Sequence, residues 1–328
     1  MNIRDVAEFA EVSIATVSRY LNNGIISEKS RAKVKHAIEH LGYTPNDLAK
    51  SIFKDEYYTI GVMVPNLSNP FYYQFVAEIE QYASSLSYSV LLSNTNDNRD
   101  KEIKSLQVYL RNRVAGIIAS RSRCNIEYND LKVPVVAFED KIGPNIPTVS
   151  TDNYEGGRAA FRHLYECGAR KMLNVTGPEL FSAVNDRMQG FSDAAMDCGL
   201  NIDIVYMNSD FKTEMAHPTS NHFLNDVDWK KYDGVFVFND IASAAVMRCI
   251  KLKGFRIPED IQLVSFDNSF LCDLLSPQLT SFSQPISAIS KALVDSLLIQ
   301  MKGQSVSPMD CRLTPKLVQR ESTRIKHS

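Results

Sequence analysis

Residues 3–22 read Ile-Arg-Asp-Val-Ala-Glu-Phe-Ala-Glu-Val-Ser-Ile-Ala-Thr-Val-Ser-Arg-Tyr-Leu-Asn, and this stretch decides the fold of the N-terminal region. Val6 and Ala10 are spaced to lie on one side of a first short helix. Val17 and Leu21 are spaced in the same way on a second helix, so the two helices can pack crosswise on a small core. The pattern predicts a helix-turn-helix, a motif that places its second helix in the major groove of DNA.

The second helix is predicted to begin at Ser13, whose hydroxyl can accept hydrogen bonds from the unpaired backbone N–H groups of the first turn. A helix that begins there presents its first exposed side chains to DNA. The expected DNA contacts in this helix are Ser13, Ile14, Ala15, Thr16, Ser18, Arg19 and Asn22. Because arginine pairs bidentately with guanine, Arg19 is the leading candidate for reading a base edge.

A third helix is predicted after Ser27, which is a typical N-cap residue. Its apolar positions include Val34 and Leu41, and it is expected to end at Gly42, a residue suited to the left-handed end of a helix. Three short helices in this stretch form a compact DNA-binding head.

Four motifs follow one another in a specific order: Asp-Val-Ala at 5–7, Val-Ser-x-x-Thr-Val-Ser-Arg at 12–19, Leu-Gly-Tyr-x-Pro-Asn at 41–46 and Ala-Lys-Ser-Ile at 49–52. Their order resembles the lactose-repressor family of bacterial transcription regulators, and the likeness continues along nearly the whole chain. Members of that family usually have Gly or Asn where this chain has Glu11. A positive φ at a glutamate would cost about 1 kcal/mol.

The resemblance implies that the segment after Asn46 is a hinge helix, which forms on operator DNA and inserts an apolar side chain into the minor groove. Unstacking a base step costs a few kcal/mol, which the resulting bend recovers. Ile52 stands at the wedge position, usually a leucine, and Lys50 stands where arginine is common. The expected DNA contacts in and before the hinge are Tyr43, Asn46, Lys50 and Ile52. The alternative is that Ile52 is an ordinary apolar residue of a linker.

From residue 59 onward, short apolar runs alternate with helical stretches, which is typical of parallel α/β sheets. One set of predicted strands comprises 59–65, 89–93, 116–119 and 135–138. A second set comprises 171–176, 204–206, 234–238 and 262–266. Two similar sets predict two Rossmann-like lobes with a cleft between them.

The chain is therefore expected to have three parts. An all-α helix-turn-helix head occupies residues 1–43, and a hinge helix with its linker occupies 44–58. Residues 59–328 form an α/β two-lobed body, similar to periplasmic binding proteins, for effector binding and dimerisation.

Polar side chains follow the predicted strands, at the positions where open α/β sheets bind ligands. This half of the chain resembles periplasmic sugar-binding proteins of the ribose type, and the resemblance implies a pocket lined by Asn69, Phe71, Glu139, Arg187, Asn239, Asp267 and Gln284. Carboxylates, amides and an arginine suit a polyhydroxyl ligand because they donate or accept paired hydrogen bonds. Asp140 stands where ribose-type sites often have arginine, which disfavours a pentose.

Each of these residues also has a structural interpretation. Arg187 and Asp267 can form an ion pair that serves only the fold. Asp152 and Asn153 are expected to cap a helix rather than bind a ligand, and Asp240 can cap the helix that begins at Ile241.

Charge and cysteine content limit the possible functions. Residues 1–50 contain seven basic and six acidic residues, so net charge does not reveal a nucleic-acid binder and the basic side chains would have to cluster. Six cysteines without a Cys-x-x-Cys pair argue against zinc and fit reduced thiols. His36 and His40 are four apart on one helix, but without a third ligand they are expected to form a solvated face. No metal or cofactor is expected.

The N-terminus has no signal-like stretch and no long apolar run occurs, so a cytoplasmic location is expected. No sequence motif of a hydrolase, a metalloprotease or a nucleotide-binding loop is present, which argues against an enzyme. The combined features predict a homodimeric repressor of sugar-uptake or sugar-catabolism genes that a small sugar releases from its operator. The alternative is a regulator whose corepressor is a sugar phosphate or a phosphorylated partner protein.

Overall fold

The computed structural model describes residues 2–21, 24–43, 57–120, 128–178, 181–207, 224 and 226–324. The predicted DNA contacts Asn22, Asn46, Lys50 and Ile52 lie outside these residues. The chain divides into two compact units, Met1–Tyr57 and Tyr58–Ser328, which are called the head and the body.

The head contains three helices, α1 (Ile3–Phe9), α2 (Ile14–Leu21) and α3 (Glu28–Leu41). Their buried apolar side chains meet in one cluster, which consists of Val6, Ala7, Ala10, Val17, Val34 and Ala37. The predicted helix-turn-helix is therefore confirmed.

The helix ends in the head follow the expected chemistry. Ser13 accepts a hydrogen bond from the Thr16 N–H at 3.2 Å and so caps α2. The side chain of Ser27 caps α3, and Gly42 ends α3 in the left-handed conformation with φ of 57°. Glu11 also has a positive φ of 49°, as expected for the turn between α1 and α2.

The body begins with alternating strands and helices: β1 (Thr59–Val64), α4 (Pro70–Ser85), β2 (Ser89–Asn94), α5 (Arg99–Arg111), β3 (Gly116–Ala119), β4 (Val135–Phe138), β5 (Thr148–Thr151), α6 (Asn153–Glu166), β6 (Met172–Thr176) and α7 (Ser182–Asp197). It continues with β7 (Asp203–Tyr206), β8 (Gly234–Val237), α8 (Asp240–Leu252), β9 (Gln262–Asp267), α9 (Leu271–Leu274), β10 (Thr280–Ser283), α10 (Ile286–Met301), β11 (Asp310–Leu313) and β12 (Lys316–Val318). Among the described residues, no helix is both long and apolar enough to cross a membrane.

Two sheets form the two lobes of the body. The first sheet has the order β11-β5-β4-β3-β1-β2, and the second has the order β12-β10-β9-β8-β6-β7. The pairs within both sheets are parallel, apart from the antiparallel pair of β10 with β12. The predicted parallel two-lobed fold is confirmed. The short strands β5, β10, β11 and β12 were not among the predicted strands.

The chain passes between the lobes three times. It leaves the first lobe after β5, returns to it after β10, and leaves it again after β11. On its return, α10 packs Ile289 and Leu293 against the first-lobe residue Phe75, in the same buried cluster. The apolar runs in the sequence predicted the two sets of strands but not this return. Because residues from 286 to 313 complete the first lobe, the two lobes are not successive segments of the chain.

Helices α6 and α7 pack closely through two glycines. A Cβ added to Gly157 would collide with the backbone carbonyl oxygen of Arg187, and one added to Gly190 would collide with that of Tyr154. Backbone atoms cannot move aside as a flexible side chain can. The close packing of α6 against α7 therefore sets the position of Arg187, which lies on α7, between the two lobes.

We expect Gly157→Ala to destabilise the body by about 1–3 kcal/mol, because the added methyl group overpacks a backbone contact. Urea unfolding followed by circular dichroism measures this loss. Met196→Ala is the control, since Met196 lies on α7 with its side chain 62% exposed. An unchanged unfolding midpoint in Gly157→Ala would show that α6 and α7 can move apart with little loss in the free energy of unfolding.

Candidate functional site

A cavity of about 310 Å³ lies between the two lobes of the body. Its walls include the seven residues predicted to bind an effector, namely Asn69, Phe71, Glu139, Arg187, Asn239, Asp267 and Gln284. Six of them lie at the ends of strands or the starts of helices, as expected for an open α/β fold, and Arg187 lies in the second turn of α7. The structure brings these residues together, and their role as ligand contacts stays a prediction.

Further lining residues were missed by the sequence analysis. Asn96 and Asp97 follow β2, and both have φ of 54°, a conformation that residues with side chains rarely adopt. Ser120 follows β3, and its buried hydroxyl has no hydrogen-bond partner among the described residues. The rule that ligand contacts follow strand ends would have identified all three, because β2 and β3 were both predicted.

Arg187 is held in place by three neighbours. Its Nε donates to Asn153 Oδ1 at 2.8 Å, and its Nη1 donates to the carbonyl oxygen of Phe238 at 2.7 Å. The guanidinium also lies 3.7 Å above the ring of Phe266. A cation over an aromatic face is attracted by the ring, and this planar group is thereby fixed in one orientation.

Asp267 faces Arg187, with 3.6 Å between Asp267 Oδ1 and Arg187 Nη1. The two residues therefore form the predicted ion pair, and both also line the cavity. Asp267 accepts a hydrogen bond from Gln284 Nε2 at 2.6 Å, and Gln284 in turn accepts one from the Thr151 hydroxyl at 2.6 Å. Burial raises the pKa of Asp267 to about 7, although the positive charge of Arg187 opposes the shift.

Glu139 follows β4 in the first lobe, and its side chain is half-buried. It accepts hydrogen bonds from the Thr151 N–H at 3.1 Å and from Asn153 Nδ2 at 2.6 Å. Burial raises its pKa, and Arg187 opposes this shift. Like Asp267, Glu139 has a positive φ, here 67°. Both acids are thus presented by strained backbone at the end of a strand.

The expectation that Asn153 caps a helix is wrong. Asp152 is the cap of α6, since its side chain accepts a hydrogen bond from the Glu155 N–H at 3.1 Å. Asn153 instead joins Glu139 to Arg187, with its amide nitrogen on the acid and its amide oxygen on the guanidinium. An amide suits this position because it carries a donor and an acceptor.

Two of the predicted ligand contacts also cap helices. Asn69 Oδ1 accepts from the Phe71 N–H at 3.0 Å at the start of α4, and Asn239 Oδ1 accepts from the Ala242 N–H at 2.8 Å at the start of α8. Asp240 is therefore not the cap of α8, contrary to one expectation from the sequence. Each cap uses the amide oxygen, so the amide nitrogen is the part of the side chain suited to donating to a ligand.

The cavity is acidic. Its described lining includes the carboxyl groups of Asp97, Glu139, Asp140 and Asp267, and Arg187 is the one basic residue within that lining. Asp140 of the first lobe also accepts a hydrogen bond from the hydroxyl of Ser182, at the start of α7 in the second lobe. The arrangement disfavours an anionic ligand and offers several hydrogen-bond acceptors and donors to hydroxyl groups.

The head presents a second candidate surface at the start of α2. Ser13, Ala15 and Arg19 are exposed, and Ile14 is 45% exposed. The remaining described candidates, Thr16, Ser18 and Tyr43, are half-buried, and Tyr43 packs against the apolar cluster of the head.

The two histidines of α3 take part in ring stacking. The ring centroids of His36 and His40 lie 6.0 Å apart, and Phe9 stacks on His40 at 4.8 Å. Within the described ranges of the chain, no three His, Cys, Asp or Glu side chains are arranged to hold a metal ion.

Two parts of the chain match known protein families. Residues 2–46 match the bacterial regulatory proteins of the lacI family, and residues 161–323 match a periplasmic binding protein-like domain. A ribose operon repressor from Halalkalibacterium halodurans is 33% identical over 324 residues, which cover 98% of this chain and 97% of that protein. A sucrose operon repressor from Streptococcus mutans is 31% identical over 328 residues, which cover 98% of each chain.

Among solved structures, a periplasmic binding protein/LacI transcriptional regulator from Alkaliphilus metalliredigens, crystallised with D-xylulofuranose, is 46% identical. It superposes with a TM-score of 0.77, covering 82% of this chain and all of that one. The chain belongs to the lacI family of bacterial regulatory proteins and is a DNA-binding transcriptional regulator.

Proposed function

We propose that this regulator represses sugar-uptake or sugar-catabolism genes and leaves its operator when a small, uncharged sugar binds between the lobes. The observation that carries the proposal is the cavity, in which four carboxyl groups and several amides surround a single arginine. Carboxylates accept hydrogen bonds from hydroxyl groups, while the arginine and the amide nitrogens donate to them. Two relatives that cover nearly the whole chain are repressors of a ribose operon and a sucrose operon.

The charge of the cavity disfavours the alternative effector, a sugar phosphate. A phosphate group would add negative charge beside four acidic side chains, and Arg187 is already paired with Asp267. Burying like charges together costs free energy that a neutral hydroxyl does not. A regulator controlled by a phosphorylated partner protein has no specific support in the described residues.

We also propose that pentoses belong to the effector range. The sequence disfavoured a pentose because Asp140 stands in place of an arginine. However, the Asp140 carboxylate accepts a hydrogen bond from the Ser182 hydroxyl and so already has a partner within the protein. The ligand of the similar regulator, D-xylulofuranose, is a five-carbon sugar. A cavity of about 310 Å³ is at the small end of ligand pockets, which suits a monosaccharide.

For the head, we propose that a homodimer places two recognition helices on a near-palindromic operator, because a dimer with two-fold symmetry presents its two helices to inverted half-sites. Exposed apolar side chains at α9, Phe270 at 48% and Leu274 at 73%, favour self-association of the body. Closure of the two lobes on the sugar is proposed to change the relative angle of the N-terminal lobes across the dimer, and thereby the spacing of the two hinge segments, residues 44–58.

The effector class is tested by calorimetry of the full-length protein with D-ribose, D-xylulose and their phosphate esters. We expect a neutral sugar to bind and its phosphate ester to bind at least about tenfold more weakly. Tighter binding of the phosphate ester would contradict the proposal.

In operator titrations, Asp267→Asn should lose the response to sugar, since a ligand acts only through differential affinity for two states. Asp193→Asn is the matched control, since Asp193 lies on α7 outside the lining of the cavity. An unchanged response in Asp267→Asn would show that the cleft does not control the response to sugar.

Base reading by Arg19 is tested with Arg19→Ala and a set of operator variants. We expect a loss of about 1–3 kcal/mol of discrimination at a single base position. Lys35→Ala, on the exposed side of α3, is the control. Equal weakening on operator and random DNA would reduce Arg19 to a phosphate contact.

The proposed wedge is tested with Ile52→Ala, which removes the apolar side chain that would unstack a base step. We expect less DNA bending in gel mobility assays and weaker operator binding, while sugar binding by the body stays the same. Bending equal to that of the wild type would instead make Ile52 an ordinary linker residue.

A further inference from the structure

The turn after β9 holds Asp267 in a conformation that needs support. Asp267 has φ of 104° and the next residue, Asn268, has φ of 54°, although neither is a glycine. Two successive residues of this kind persist only where the surrounding structure determines their conformation. The direction of the Asp267 carboxyl group therefore depends on what holds the turn.

Asp240, at the start of α8, binds the two backbone amides that follow Asp267, one directly and the other through Ser281. Asp240 Oδ2 accepts from the Ser269 N–H at 2.6 Å. Asp240 Oδ1 accepts from the Ser281 hydroxyl at 2.7 Å, and that hydroxyl accepts from the Asn268 N–H at 3.0 Å. The Ser265 hydroxyl, 2.7 Å from Oδ1, completes the set. Asp240 is only 1% exposed, so water does not replace these contacts.

We infer that Asp240 is a positioning residue for the effector: its carboxylate clamps the turn from Asp267 to Ser269 and so aims Asp267 at the ligand. This inference rests on the proposed sugar function of the cleft. Asp240 is absent from the lining of the cavity, so it acts through Asp267 and not by contact with the sugar.

A carboxylate is required at this position because every partner named above donates. A backbone N–H and two hydroxyl groups converge on its two oxygens, and the first turn of a helix also favours negative charge. An amide in its place would direct an N–H group at one of these donors. Asparagine thus preserves the size of the side chain but breaks the clamp.

The charge of Asp240 has a second consequence for Asp267. Burial raises the pKa of Asp267 to about 7, Arg187 opposes this shift, and Asp240 and Glu139 add to it. On the other side of the turn, the thiol of Cys272 faces Asp240, and Arg320 donates to Asn268 Oδ1 at 2.8 Å. Sugar hydroxyls bind best to ionised Asp267, so affinity should rise as pH increases through about 7. Burial raises the pKa of Asp240 itself, and its hydrogen bonds from Ser269, Ser265 and Ser281 oppose that shift and favour the charged form. When a neutral residue replaces Asp240, the midpoint of the rise in affinity should move to lower pH.

The clamp is tested without any ligand by hydrogen–deuterium exchange of the full-length protein. In Asp240→Ala and in Asp240→Asn, the amides of Asn268 and Ser269 should exchange at least about tenfold faster than in the wild type. Ser296→Ala is the matched control, because its hydroxyl donates to the Ala292 carbonyl on α10 and not to the Asp240 network. Wild-type protection of these two amides in folded Asp240 variants would overturn the inference.

The effect on binding is tested by calorimetry with D-ribose and D-xylulose as probes. The measurements run from pH 5.5 to pH 8.5, about three pH units around the expected midpoint. Asp240→Asn should weaken binding about tenfold and move the pH midpoint downward. Ser281→Ala, which breaks the relay but keeps the charge, should weaken binding without moving the midpoint. Ser281→Ala also tests the clamp if the Asp240 variants do not fold.

The outcomes separate the two proposals. If the wild type binds neither sugar nor any other neutral sugar, the proposed function fails, and the exchange experiment still decides whether Asp240 holds the turn. If sugar binds and Asp240→Asn reproduces the affinity and pH profile of the wild type, Asp240 is not a positioning residue.

Discussion

The buried guanidinium of Arg187 is the interaction on which the arrangement of the cleft depends. It joins the two lobes chemically, since Asn153 connects it to Glu139 of the first lobe while Asp267 and the Phe238 carbonyl belong to the second. A charge at this depth is stable only with such partners. The glycine contact between α6 and α7 brings it close enough to make them. The hydrogen bonds of Arg187 therefore depend on the close backbone packing of α6 and α7.

The sequence was sufficient for features that depend on local chemistry. The helix caps Ser13 and Ser27, the left-handed Gly42 and the long buried strands each follow from residue type and spacing. The cleft residues were predicted through family motifs, and their assembly in one cavity reflects the rule that strand ends converge. Their binding role remains a prediction.

What the sequence did not reveal depends on contacts distant along the chain. Asn153 looks like a capping residue because it begins a helix, and only the fold shows that Glu139 and Arg187 approach it from both sides. Asp240 likewise looks like a cap, but its partners Ser265, Ser269 and Ser281 lie on later segments. The strands β5 and β11 are four residues long, and β11 lies far from β5 in sequence although they pair. Neither has the continuous apolar run by which β3 and β4, strands of the same length, were predicted.

The return of the chain to the first lobe has a consequence for synthesis on the ribosome. The head needs only its own helices and can fold as soon as residues up to 43 have emerged. The first lobe cannot, because α10 covers its core and β11 is its edge strand. During translation, the apolar faces of α4 and β1 must wait for more than two hundred further residues, from 64 to 313, before they are fully covered. Such delayed, non-local pairing is slow and leaves apolar surface exposed to aggregation. The nascent first lobe is thus the part of this regulator most in need of a chaperone.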